Sequence, residues 1–186
     1  MIFKYLILLL FSISFIATSY AEEGGGLSLE PVEKIAMERL AKIQEEALYP
    51  EVAFSSDGCS GGLSAGWEAR AENLPSFAKT LGEKPPWEEC CVAHDRLYWA
   101  GRTDDGYRRR LLADGELRAC VMSVGRSEAP ALSSRYDISV ERIEEVFSIA
   151  AEAMFVAVRV GGIPCTGLPW RWGYAWVQCI VLDGDN

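Results

Sequence analysis

Six cysteines, two of them adjacent at positions 90 and 91, constrain what this chain of 186 residues can become. They staple the fold where thiols oxidise, and they favour metal or redox chemistry where thiols stay reduced, so the compartment decides first. Lys4 precedes the apolar run LILLLFSISFIA, and the small-residue stretch TSYA stands just before the acidic pair at 22 and 23. A short positive start, an apolar core and Ser19-x-Ala21 match a secretory signal peptide over residues 1–21, cut after Ala21. The alternative, an uncleaved anchor, fits less well, because a spanning helix needs about 20 apolar residues. Residues 22–186 then form the exported chain, periplasmic or secreted, where disulfides are permissible. All six cysteines lie there, and the even count suits three bridges.

Cleavage would remove Lys4 and no acid, moving the formal net charge from −9 to −10. Phosphate neutralisation needs a basic surface, so nucleic acid is not the expected partner. A lipid substrate or a bound cation stays open. The length of 22–186 suits one domain. Val32, Ile35, Ala36, Leu40 and Ile43 carry helical spacing, which predicts an N-terminal helix over 32–48. Pro50 and a cluster of small residues make 49–66 a loop, and 67–84 reads as a short helix or an irregular connection.

Pro85 and Pro86 can open a helix over 87–99, because proline is tolerated in a first turn. Gly101 and TDDG mark a turn, and a second helix follows from Tyr107 to about Val121. A third spans 140–158; Glu141, Arg142, Glu144, Glu145 and Glu152 make it core rather than membrane anchor. The tail from about 160 to 186 is rich in tryptophan. Alternation in YAWVQCIVL admits a small C-terminal β-hairpin beside an otherwise mainly α fold.

The single histidine sits in CCVAHDRLY, residues 90–98. On a helix, Cys91, His94, Asp95 and Tyr98 fall along one side, and on the next helix Asp114, Leu117 and Cys120 or Val121 align likewise. A short glycine-containing connection makes such helices antiparallel neighbours. The register that sets Cys90 against Cys120 also brings His94 near Asp114. A carboxylate partner fixes an imidazole's tautomer and leaves its other nitrogen free to take a proton from water. Asp95 points elsewhere and is available to a hard cation. The stretch SSDGCSGG can turn backbone carbonyls toward the same ion, a donor set that suits calcium better than zinc.

DGCSGG, CCVAHDRLY and ADGELRAC together resemble the secreted phospholipase A2 superfamily over residues 57–121. The resemblance implies an antiparallel, disulfide-linked helix pair and calcium-dependent hydrolysis of the sn-2 ester of a glycerophospholipid. Residue by residue, it implies His94 as base, Asp114 as its partner, and Tyr98 as a hydrogen-bond donor to the aspartate. Asp95 would be the side-chain ligand of Ca2+, with the carbonyls of Gly58, Ser60 and Gly62 as backbone ligands. It further implies the bridges Cys59–Cys91 and Cys90–Cys120, which leaves Cys165–Cys179. A phospholipid membrane surface or micelle is the implied partner, acted on by a monomer. Ser60 stands where many members have glycine, the interval between Cys59 and Cys91 is longer than usual, and the resemblance does not place the family's second network tyrosine.

Plainer readings compete at several positions. Asp57 reads as a turn residue, TDDG at 103–106 as a plain turn, and the arginines at 108–110 as a solvated helix face. Trp170, Trp172 and Trp176 suit either the core or an interfacial surface. Two rivals to the enzyme are a non-catalytic phospholipase-like module that binds lipid or protein, and a zinc protein using Cys90, Cys91, His94 and Cys120. The second requires free thiols.

Overall fold

The computed structural model describes residues 29–47, 49–56, 58–59, 62–75, 78–79 and 82–179. The signal-peptide reading of residues 1–21 lies outside them, as do Asp57, Ser60 and residues 180–186. Among the described residues the chain is mainly helical and contains no strand. The helices are α1 (Glu30–Glu46), α2 (Gly62–Asn73), α3 (Glu88–Ala100), α4 (Gly106–Tyr136) and α5 (Val140–Gly161).

Helix α1 starts with Pro31 in its first turn, where the missing N–H costs nothing. Its buried face is Glu33, Ala36, Met37 and Leu40, whereas Val32 and Ile35 lie exposed. The apolar stripe expected from the sequence is therefore rotated, because the Glu33 carboxylate has ionic partners inside. Helix α2 begins at Gly62, so residues 62–66 are helical rather than loop.

Helix α4 runs 31 residues, well beyond the predicted end near Val121. It passes Gly125 and Pro130, which disfavour a helix by roughly 1 and 3 kcal/mol. The compensation is packing on α5. Val121, Gly125 and Ala129 recur every four residues on the buried side, and Ile143, Phe147, Ala150 and Ala151 line the facing side of α5. A Cβ on Gly125 would sit 2.4 Å from that of Phe147, so only glycine lets the helices approach this closely. Ser139 caps α5 by accepting from the Arg142 amide at 3.3 Å. No helix among the described residues is long and apolar enough to cross a membrane.

Adjacent Cys90 and Cys91 point about 100° apart around α3 and bond in two directions. Cys91 joins Cys59 and Cys90 joins Cys120, with Cα separations of 5.2 and 5.8 Å. Both bridges lie in the main apolar core with Trp87, Leu117, Val121, Ile143 and Phe147. Cys165–Cys179 closes the third, and no described cysteine is free, which removes the zinc reading. Cys90 meets Cys120, His94 meets Asp114 and Tyr98 meets Arg110. Rising numbers meet falling ones, so α3 and α4 are antiparallel.

The described part of the tail, through Cys179, forms turns and irregular backbone with no strand, and the stretch that admits a hairpin runs on into residues 180–182, outside the described ones. Its donors go to the end of α3 instead, whose last carbonyls lack helical partners. Gly173 N–H donates to the Tyr98 carbonyl at 2.6 Å and Ala175 N–H to that of Trp99 at 3.3 Å. The Trp176 and Trp172 indoles donate to the carbonyls of Ala100 and Arg102 at 3.0 and 3.2 Å. Trp172 is buried against Tyr98, with Met37, Leu40 and Ala113, while Trp170 and Trp176 are half-buried.

Candidate functional site

The His94 imidazole is buried between α3 and α4, with Nε2 2.9 Å from Asp114 Oδ1. A carboxylate only accepts, so Nε2 carries the proton, and in the neutral ring Nδ1 is the nitrogen with the lone pair. The Tyr98 hydroxyl donates to the same Asp114 oxygen at 2.7 Å, and the two rings lie 4.1 Å apart. Burial first, and then the neighbouring Asp114 charge, push the Tyr98 phenol well above its ordinary range, which keeps it a neutral donor.

Asp114 is fully buried, and its second oxygen is held by charge. Arg159 Nη1, from the last turn of α5, donates to Oδ2 at 2.8 Å, and Arg110 Nη1 lies 3.6 Å from it. Arg159 Nη2 reaches Glu33 Oε2 at 2.5 Å. Arg110 grips both oxygens of Glu33 through Nε and Nη2, each at 2.6 Å, and Nη1 donates to Tyr98 Oη at 3.0 Å and the Val158 carbonyl at 2.9 Å. Two carboxylates and two guanidiniums thus balance behind the imidazole. Burial works against the Arg110 charge, but the hydrogen bonds to Glu33 and the nearby anions more than offset it, raising its pKa further above the ordinary arginine value.

The arginine run therefore divides. Arg108 and Arg109 are solvent-facing, but Arg110 is fully buried, correcting the reading of all three as a solvated face. Arg109 and Arg102 clasp Asp104 in the turn before α4, and their hydrogen bonds hold its carboxyl below the usual range. TDDG is a plain turn. Glu33, Arg110 and Arg159 escaped the sequence reading. One signal was available: Arg110 precedes Asp114 by one helical turn, on the same stripe as Leu117 and Val121.

Asp95, one residue beyond the imidazole, is turned toward the loop before α2. Ser56 Oγ donates to Asp95 Oδ2 at 2.6 Å and accepts from Gly58 N–H at 3.0 Å. Cys59–Cys91 ties the same loop to α3. Gly58 adopts φ +72°, and a Cβ there would sit 2.2 Å from Glu88 Oε1, so the backbone lies directly against that carboxylate. Glu88 pairs with Lys84 through Oε1, while Oε2 is buried without a hydrogen bond. Gly62 opens α2, and a helical carbonyl engages the N–H four residues on, leaving one lone pair. No cluster of three His, Cys, Asp or Glu side chains suited to a metal occurs among the described residues. The oxygen groups shown at Asp95 are its own carboxylate and the Ser56 hydroxyl, with the sulfurs of Cys59 and Cys91 locked in a disulfide. That all-oxygen chemistry fits a hard cation.

No family model, curated protein or solved structure matches this chain.

Proposed function

We propose that the chain is an exported, phospholipase A2-like carboxylic ester hydrolase, with His94 as general base on the sn-2 ester of a glycerophospholipid. One observation carries the reading: an imidazole bonded through Nε2 to a buried carboxylate, next to an aspartate turned toward a glycine-bearing loop. His94 Nδ1 removes a proton from water as the water oxygen bonds to the carbonyl carbon. The same nitrogen returns that proton to the departing glycerol oxygen. A fatty acid and a lysophospholipid leave, and the imidazole ends neutral. Asp114 holds the ring in the tautomer this requires and faces the imidazolium that forms. Tyr98 fixes the aspartate oxygen that accepts from the ring. Asp95 and the carbonyls of Gly58, Ser60 and Gly62 would hold Ca2+, which supplies charge to stabilise the oxyanion.

Fatty-acid release from phospholipid vesicles and micelles, with calcium and with chelator, tests this. Wild type is expected to hydrolyse with calcium only. His94→Gln is expected to lower kcat by about 100- to 10,000-fold while calcium binding persists. Equal hydrolysis by the variant defeats the assignment of His94. Calcium-supported vesicle binding without ester cleavage points to a non-catalytic module.

A further inference from the structure

We propose that Arg159 is a positioning residue for the His94–Asp114 pair. The role rests on the reading of His94 as base, although the contacts stand independently. Asp114 Oδ1 is held by His94 Nε2 and the Tyr98 hydroxyl, so a grip on Oδ2 is what fixes the other end of the carboxylate. Arg159 Nη1 supplies that grip at 2.8 Å; Arg110 Nη1, at 3.6 Å, is beyond hydrogen-bond reach of Oδ2.

Arg159 is itself held. Its Nη2 is bonded to Glu33 Oε2, and Glu33 is clamped by the two-pronged Arg110 contact. The chain of fixation runs from Arg110 to Glu33, Arg159, Asp114 and the ring. It recruits α1 and α5 to aim a base carried on α3. A guanidinium spans two carboxylates because its donors diverge in one plane; a lysine ammonium is a single point. Geometry, not charge alone, is therefore what position 159 contributes.

The single histidine makes the test direct, since an imidazole-15N label reports on His94 alone. At one fixed, mildly alkaline pH the wild-type ring should show a slowly exchanging Nε2 proton and a bare Nδ1. In Arg159→Met the Nε2 proton should exchange rapidly with solvent, and the nitrogen shifts should move toward a mixture of tautomers. Hydrolytic kcat should fall on the order of 100-fold, the cost of a reacting group displaced by about 1 Å, with KM unchanged. Arg159→Lys, retaining the charge, should change both readouts in the same direction by less. A folded variant with three intact disulfides and the wild-type ring spectrum and kcat overturns the proposal. If Arg159→Met does not fold, Arg159→Lys decides by the same readouts. Should wild type hydrolyse nothing, the esterase reading fails, and the ring spectrum alone decides the positioning role.

Discussion

The two sides of the His94–Asp95 step are built by opposite means. Inward, residue 94 rests on a sealed net in which Glu33, Arg110 and Asp114 are fully buried and their polar atoms find protein partners. Outward, half-buried residue 95 meets a loop tied down by the Ser56 hydroxyl, the Cys59–Cys91 bridge and bonds from Trp99 and Tyr174 to the carbonyls of Val52 and Ser55. The imidazole is backed by ionic pairs whose disruption strands a buried charge. The Asp95 carboxylate accepts from a loop hydroxyl that in turn accepts from the Gly58 amide. Neighbouring residues thus face a buried ionic net on one side and a disulfide-tied loop on the other.

The sharpest way to break this contrast is on the inward side. Glu33→Ala strands two guanidiniums and should lower unfolding free energy by roughly 3–5 kcal/mol, read as a lower urea midpoint. A loss below 1 kcal/mol means the net is wetter than its burial implies. On the outward side, Ser56→Ala removes a hydrogen bond to a charged acceptor and should cost only about 1.5 kcal/mol. It should also change calcium affinity, by titration, more than Glu33→Ala does; the reverse order would put the cation elsewhere. The smallest effect belongs to Arg108→Gln, two residues from Arg110 but exposed and weakly paired with Asp105. Its stability should stay within about 0.5 kcal/mol of wild type by the same denaturation.

The meeting of His94 and Asp114 was legible because helical pitch and a short turn leave few registers, and Cys90 with Cys120 marks one of them. The net behind it was not. Among three consecutive arginines only the one-turn spacing from Arg110 to Asp114 hints at which faces inward, and nothing local points to its partner Glu33, 77 residues earlier. The length of α4 was hidden for a related reason. Gly125 and Pro130 speak locally against a helix, and the packing of α4 on α5, with Phe147 over Gly125, carries it through. In the tail, alternation suggested paired strands, yet the amides of Gly173 and Ala175 were needed where α3 runs out of partners. Local pattern records what a segment can do; a vacant acceptor elsewhere decides what it does.

Adjacent cystines on α3 have a mechanical consequence. A rod pinned once on its circumference can still swivel about the pin. Pinned on two flanks, to α4 and to the loop, it cannot roll. Any roll that sharpened the aim of the imidazole would spoil the aim of the next carboxylate. One locked angle therefore serves two targets, and two neighbouring half-cystines are the smallest covalent device that locks it.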